Sequence, residues 1–404
     1  MAKALLNLVD VQVRRGMNTV LDGCSVSVMG GQTVVLTGSN GAGKSTLLET
    51  AAGLLPMEHG HVEHGEITVA DAEGRRRTSP FTVGVVLQRN GMLGSEILVE
   101  HLQTAMSMSG RSVDIEPFLK AFKLMHRAND LVAHLSQGQA RKVAVLAGLL
   151  PAFASTTPAL VMMDEPDAGL DDASIETLGR WMNDLRRMGH GLVVATHDER
   201  MVKCATHVYD VDRDDLKATH VGDEEPVEAP SARPAKSITS AAFGVRMHLR
   251  TMMWLNTNAM AGLLTLGVML SMGDFMGQLD AMQQMGFILA PTLAAGLCGE
   301  PLVAALREER AGVWWRAVGQ REPHAGWLPL VIGAVFTLLS TIGLQVDVVG
   351  RTVLVGGLLC FIVWHSVGWM QRSTTRLARP HAVFVGLLTP VLILPYSVLI
   401  SLLS

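Results

Sequence analysis

The chain is 404 residues long, with 33 Lys and Arg against 37 Asp and Glu and a net charge of −4. That length accommodates about two to three domains of ~150 residues each, and the charge argues against a general nucleic-acid binder. Apolar residues make up 49% and charged residues 17%, yet 55 of the 70 charged side chains fall in residues 1–251 and only 15 in 252–404, which has no Lys. The division argues against disorder, a collagen-like chain or an ordinary soluble enzyme, and describes a soluble domain joined to a membrane domain. Cys24, Cys204, Cys298 and Cys360 lie far apart with no CxxC pair, which speaks against a disulfide framework or a thiolate zinc site. The start, MAKALLNLVD, does not read as a signal peptide, so the first domain is expected in the cytoplasm.

Residues 1–212 alternate short β-branched runs with helical stretches. TVVLTG (33–38), ALVMMD (159–164) and GLVVAT (191–196) read as buried strands followed by polar or Gly-containing turns, the pattern of an α/β fold with a mostly parallel sheet. The first strand runs into GSNGAGKST, residues 38–46. Gly38, Gly43, Lys44 and Ser45 fit G-x-x-x-x-G-K-[ST], with Ser39, Asn40, Gly41, Ala42 and Thr46 completing the stretch. The glycines let backbone N–H groups curve around phosphate oxygens at a helix N-terminus. Lys44 reaches the outer phosphates of ATP, and the Ser45 hydroxyl ligates Mg²⁺. HGHVEHGE (59–66) gathers His59, His61 and His64; we read it as an extended β-hairpin loop rather than a metal sensor, because His61 and His64 would point to different faces of a strand. ALVMMDE then places Asp164 at a strand end, where it can hold the Mg²⁺ shell. Glu165 beside it is a carboxylate able to polarise attacking water, since phosphoryl transfer mainly needs positioning and charge stabilisation.

LSQGQ, residues 135–139, resembles the Leu-Ser-Gly-Gly-Gln signature of the ATP-binding cassette (ABC) family, with Gln137 in place of the first Gly. The resemblance implies that Ser136 and Gly138, followed by Gln139, complete a site on a second cassette by touching its γ-phosphate. Gln88, in VGVVLQ, matches the Q-loop glutamine that senses Mg²⁺ and contacts the membrane domain. Asp171, in AGLD (168–171), matches the D-loop, and His197, in VVATHD, the switch histidine that orients the γ-phosphate. These matches stand in the family's order over residues 5–212. Families of this type usually stack adenine on an aromatic ring just before an N-terminal Gly. Here VRRGMNTVL puts Arg15 at that place, read either as a guanidinium plane that stacks on the base or as a solvated strand-end charge.

Residues 213–240, with GDEEPVEAPSARPAKS, hold too little apolar content to pack and read as a flexible linker to a membrane domain over 241–404. Five uncharged stretches follow, 251–273, 281–299, 323–346, 352–371 and 380–404, each with the ~20 residues a helix needs to cross the hydrocarbon layer. Arg307, Arg310, Arg316, Arg321, Arg372, Arg376 and Arg379 fall in the loops expected inside, against Arg351 alone outside. Pro390 and Pro395 could make the fifth span broken or re-entrant. REERAGVWWRAVGQREPH (307–324) reads as a short amphipathic helix with Trp314 and Trp315 at the interface. It resembles the loop after the second span in the second type of ABC exporter and in the haem exporter of cytochrome c maturation, which docks in a groove of the ATPase. Glu300 and His365, ionisable within apolar segments, could pair with each other; the favoured alternative is an interfacial Glu that snorkels outward and a His that bonds a neighbouring helix. The Met-rich stretch from Met252 to Met276 reads as adaptable helix packing rather than a copper site.

The expected molecule is thus an α/β P-loop NTPase of ABC type followed by an all-α transmembrane domain of about five spans. It is expected to be an ATPase coupled to transport, a haem-exporter-like exporter that acts as a homodimer in the inner membrane and moves an unknown small or amphiphilic substrate, with haem among the candidates. Its alternative is a mechanotransmitting ATPase that drives an extracytoplasmic partner without moving a solute.

Overall fold

The computed structural model describes residues 4–219, 227, 229–272, 281–345, 350–374, 382–383 and 385–389. They form two compact units, Met1–Ile238 with Leu306–Glu322, and Thr239–Ala305 with Pro323–Ser404.

In the first unit β1 (Ala4–Arg15), β2 (Asn18–Met29), β4 (His59–His64) and β5 (Ile67–Asp71) make an antiparallel sheet in the order β2-β1-β4-β5. Its inward residues alternate as a sheet with one covered face requires: Leu6 opposes Val28, Leu8 opposes Val26 and Val13 opposes Leu21, all buried. The three histidines of 59–64 do not converge. His59 Nδ1 lies 3.2 Å from the Asp10 carboxylate, His61 Nε2 lies 3.4 Å from Glu63, and His64 is buried with Nε2 2.9 Å from the Ala51 carbonyl.

The second sheet contains β3 (Thr33–Thr37), β6 (Val83–Val86), β8 (Leu160–Asp164), β9 (Gly191–Ala195), β10 (His207–Asp210) and β11 (Asp215–Ala218), in the order β11-β10-β3-β9-β8-β6. All pairs are parallel except β10–β11. Every residue of β8 and β9 is buried, which is why these runs are apolar throughout rather than alternating. Helix α1 (Lys44–Ala51) follows β3; α2 (Leu98–Ser107), α3 (Glu116–Ala121), α4 (Gln137–Ala154), α5 (Asp172–Arg187) and α6 (Glu199–Val202) complete the unit's first stretch. Helix α4 approaches β6 glycine to glycine: a Cβ at Gly84 would lie 1.9 Å from the Gly148 carbonyl oxygen. Part of the stretch expected as a flexible linker is paired here, since Arg233–Pro234 (β12) lies antiparallel to Arg111–Ser112 (β7). Backbone hydrogen bonds need no apolar side chains, so composition does not reveal this short ladder.

The second unit begins with α7 (Ser240–Thr251) and α8 (Met260–Ser271), joined through a π-helical turn, Leu255–Ala259, and followed by α9 (Ala281–Leu297); α10 (Leu302–Glu308) starts in this unit and ends in the first. Helix α11 (Ala311–Ala317) belongs to the first unit; α12 (Leu328–Gly343) and α13 (Gly350–Ser373) return to the second. Among the described residues two helical stretches, Gln284–Glu308 and Gly350–Ser373, are long and apolar enough to cross a membrane; the pair Ser240–Thr251 and Leu255–Ser271, bent by 67°, makes a third if it is one span. The expected span 323–346 appears as the shorter apolar helix Leu328–Gly343, and most of the expected span 380–404 lies outside the described residues.

Small residues bring these helices close, as in membrane bundles where packing replaces the hydrophobic drive. Gly356 sits against the Thr337 hydroxyl, and Thr337 is 2.9 Å from the Thr292 hydroxyl. The buried Asn258 amide donates to the carbonyls of Ala295 and Gly299, both at 2.9 Å. Glu300 does not pair with His365; the histidine bonds a backbone carbonyl, in line with the favoured reading, but the carboxylate is buried rather than snorkelling outward. Glu300, fully buried, has His248 Nε2 at 2.6 Å and Arg372 Nη2 at 3.8 Å, while His365 Nε2 lies 2.9 Å from the Gly326 carbonyl. The expectation missed His248 because it precedes the first apolar stretch, and a buried carboxylate takes the cation the fold brings nearest.

In the first unit His190 links sheet strands at depth. It is 2% exposed, and its Nδ1 accepts the Ala159 N–H at 2.9 Å. Burial pulls its pKa down from 6.5 to about 4. Because the folded value lies below the unfolded one, its contribution is fully present above pH 6.5 and is lost as the pH falls toward 4, by roughly 3 kcal/mol in total. Replacing His190 with Asn keeps an acceptor and removes the titration. The extra acid destabilisation of wild type over His190→Asn between pH 6.5 and 4, read by urea unfolding of the purified protein, measures the effect; parallel pH profiles would refute it.

Candidate functional site

The turn from β3 into α1 is shaped by glycines in left-handed conformations: Gly38, Gly41 and Gly43 have φ of 141°, 90° and 100°. At Gly43 a Cβ would also meet Val20 and Leu21 at 3.0–3.1 Å, so the loop can take only glycine there without displacement. The Lys44 ammonium folds back over the loop and donates to the carbonyls of Gly38 and Ser39, both at 2.9 Å. This wraps a cation and the N-terminal N–H groups of α1 around one concave backbone, an arrangement suited to a chain of phosphates. Asn40 and Ala42 lie within the same turn, and Thr46 is buried on the first turn of α1. Asp212, 173 residues away after β10, caps the loop: its carboxylate accepts the Ser39 N–H at 2.6 Å and the Ser39 hydroxyl at 3.1 Å. No local motif announces that residue.

Ser45 and Asp164, 119 residues apart, are brought together. The Ser45 hydroxyl donates to Asp164 Oδ1 at 3.0 Å. Asp164 is buried, and burial pushes its carboxyl above the usual carboxylate range, with the Ser45 hydrogen bond pulling the other way. A desolvated carboxylate beside a hydroxyl is a set of hard oxygen donors, and a divalent cation would supply the charge it lacks; the pair fits Mg²⁺. Glu165 follows with φ of 48°, a left-handed conformation that costs a non-glycine residue about 1–2 kcal/mol. It is held there by its N–H, which donates to the Ala195 carbonyl at 2.8 Å. The conformation turns Glu165 out of the strand line that ends at Asp164. His197 stands exposed just past β9, beside Thr196, whose hydroxyl donates to Asp167 at 2.6 Å.

The signature segment starts α4. Ser136 caps the helix, accepting the Gln139 N–H at 3.3 Å, and Gln139 Oε1 accepts the Ser136 N–H at 3.0 Å. This reciprocal box satisfies two otherwise orphaned donors. Gly138 lies against the Gly169 carbonyl, where a Cβ would approach to 2.8 Å. Asp171 caps α5 and pairs with Lys142 Nζ at 2.6 Å, which draws its carboxyl down to about 2. No hydrogen bond joins 136–139 to 38–46 among the described residues. Arg141, one turn into α4 and 5% exposed, reaches the Leu87 carbonyl at 2.7 Å, the Glu165 carbonyl at 2.8 Å and the Asp164 carbonyl. It ties the strand ends that carry Gln88 and the two carboxylates to the signature helix. Its sequence signal was a charge inside an otherwise apolar helix face.

Gln88 is exposed at the start of a loop that receives the segment Leu306–Glu322 within the same unit. Trp314, 2% exposed, donates its indole N–H to the Val85 carbonyl at 3.1 Å and packs on His101 with ring centroids 5.1 Å apart. Gly91 meets the Trp314 Cβ, and Arg89 Nη1 donates to the Glu308 carbonyl at 3.2 Å. Arg310 Nη2 lies 2.6 Å from Glu49, and Arg15 Nη2 lies 2.9 Å from the other oxygen of the same carboxylate. Trp314 lies in this groove near Gln88, as the resemblance to a docking loop implies, rather than at a lipid interface, since a ring next to a backbone carbonyl can satisfy its N–H there.

The geometry is that of a P-loop nucleotide site with a buried carboxylate against the loop serine and a second carboxylate beside it. A family profile described as ABC transporter matches residues 21–168. The cytochrome c biogenesis ATP-binding export protein CcmA of Gluconobacter oxydans is 36% identical over 197 residues, 48% of this chain and 81% of that protein. The lipoprotein-releasing system ATP-binding protein LolD of Xylella fastidiosa is 32% identical over 203 residues, 48% of this chain and 82% of its own length. A solved ATP-binding subunit of an ABC transporter aligns at 25% identity and a TM-score of 0.46, over 53% of this chain and 90% of that one. The chain belongs to the ABC transporter ATP-binding protein family, whose members are ATP-binding ATPases.

The two halves of the site separate by substitution. Glu165→Gln is expected to bind ATP while hydrolysing it at least about a hundredfold more slowly, the usual scale for losing one such group. Lys44→Ala should lose nucleotide affinity instead, because its contact is present in the ground state. Near-wild-type turnover by purified Glu165→Gln would remove Glu165 from the chemistry.

Proposed function

We propose that the chain is an ATP-hydrolysing ABC half-transporter, of exporter type, that works as a homodimer in the cell membrane. The domain limits read from sequence, 1–212, 213–240 and 241–404, with about five spans and the cassette in the cytoplasm, are part of this proposal. The observation that carries it is the place of Leu306–Glu322. In sequence the segment lies between apolar helices; in space it belongs to the cassette unit and seats Trp314 beside Val85 and Gly91, on either side of Gln88. A segment so placed can transmit closure of the nucleotide site to the helices it connects.

In this reading Gly38–Thr46 hold the phosphates of ATP, and Ser45, Asp164 and Gln88 surround Mg²⁺, which supplies charge neutralisation at the phosphates when bound. Glu165 orients the attacking water, His197 the γ-phosphate, and Arg15 presents its guanidinium to the base. Ser136, Gly138, Gln139 and Asp171 act across the dimer. One chain has one phosphate loop and one signature, and a γ-phosphate with several charges needs donors on both sides. The haem-exporter-like assignment is supported by the likeness to the CcmA protein, named for cytochrome c biogenesis and export.

Mixed dimers test the assembly. A Lys44→Ala chain and a Ser136→Arg chain, each inactive alone, should recover partial ATPase activity when co-assembled, because one composite site then carries neither lesion. A fully active monomer would defeat the proposal. For transport, ATPase activity of the full chain in nanodiscs should rise with a compound from a set of haem, lipids and amphiphilic drugs, and that compound should cross in proteoliposomes. Stimulation only by an extracytoplasmic protein, with nothing crossing, would move the assignment to a mechanotransmitting ATPase.

A further inference from the structure

Glu49 lies on α1, five residues after Lys44, and is 6% exposed. A carboxylate buried that far must be compensated by charge and by hydrogen bonds. Its two oxygens are divided between two arginines: Oε2 takes Arg15 and Oε1 takes Arg310. These partners come from opposite ends of the machinery. Arg15 ends β1, and its side chain is half-exposed. Arg310 precedes α11 with φ of 56°, a left-handed conformation that a non-glycine residue keeps only when its surroundings hold it.

A free arginine makes a poor platform for a base, since stacking must first freeze a long flexible side chain. A guanidinium pinned by its edge to a fixed carboxylate has that entropy already spent, and its flat face stays available. Glu49 is fixed in turn by Arg310, so the segment that joins the apolar helices orients the group at the base end of the nucleotide site. We infer that Glu49 is a positioning residue that holds Arg15 as the base platform, and that through Arg310 it makes base binding depend on the seating of the Leu306–Glu322 segment. Linkage then runs both ways: seating the segment tightens the hold on the base, and a bound base favours the seated segment. The inference rests on the reading of Arg15 given above. Neither Glu49 nor Arg310 belongs to the phosphate-binding residues.

The test uses the full chain in nanodiscs, without Mg²⁺ so that nothing turns over, and displacement of a fluorescent ATP analogue by ATP or by inorganic tripolyphosphate. Tripolyphosphate has the phosphates and no base. Glu49→Gln and Arg310→Met should each weaken ATP by about threefold to tenfold, the scale of one charge-pair contact, and leave tripolyphosphate unchanged. The double variant should be no weaker than the worse single one, because both act on one shared carboxylate. A fall in ATP and tripolyphosphate together would mean that the variants disturb α1 and its phosphate loop, and would overturn the inference; so would no change in either. Arg15→Met separates the underlying reading. If it leaves ATP binding untouched, Arg15 does not meet the base and both ideas fall. If it weakens ATP alone while Glu49→Gln and Arg310→Met are silent, Arg15 keeps its role and Glu49 loses its own. Should Glu49→Gln not fold, Arg310→Met carries the same comparison.

Discussion

A guanidinium buried at the ends of two strands organises the catalytic half of this protein. Arg141 donates to carbonyls at Leu87, Asp164 and Glu165 from within α4. Strand ends leave carbonyls without ladder partners, and burying them unpaired would cost about 1–3 kcal/mol each. One rigid five-donor group satisfies several at once. The consequence is geometric. The strand leading to Gln88, the strand ending in Asp164 and Glu165, and the helix that starts at Ser136 are held in one frame. The glycine contact between Gly84 and Gly148 lets α4 come near enough for that reach.

Around this frame charges are placed where phosphate and metal charge would fall. Lys44 lies across its own loop, and Ser45 touches Asp164. Buried Asp164 has too little positive charge of its own, which is the condition for a cation site rather than a structural salt bridge. Asp171 illustrates the opposite case: with Lys142 against it, its carboxyl is held ionised and caps a helix. The same residue type does different work because one lacks a neighbouring ammonium and the other has it.

The second unit follows different physics. Its helices meet through Gly356, Gly333, Thr337 and Thr292, and buried groups such as Thr292 and Asn258 find partners on other helices. Glu300 is the extreme, a carboxylate with no exposure that gathers His248, Arg372 and the Ala325 N–H. In an apolar bundle such a group is tolerable only when several donors converge on it.

Much of the nucleotide site was legible in the linear sequence. The phosphate loop, the Asp164–Glu165 strand end and the signature are local patterns: their residues are neighbours in the chain, or their type is dictated by a turn that only glycine can make. The parallel sheet was legible too, because strands covered on both faces are apolar throughout. Tertiary structure decided what is non-local. Asp212 reaches Ser39 across 173 residues, Arg141 finds carbonyls on two separate strands, and Glu300 takes His248 instead of His365. The tryptophans of 307–324 have a composition that suits a lipid interface; the resemblance of their loop to one that docks in an ATPase groove anticipated the place of Trp314, and the fold supplied its partners Val85 and His101. Sequence determines what a side chain can bind. Which partner it binds depends on long-range packing, because a buried charge or donor pairs with whatever complementary group the folded backbone carries within hydrogen-bond reach.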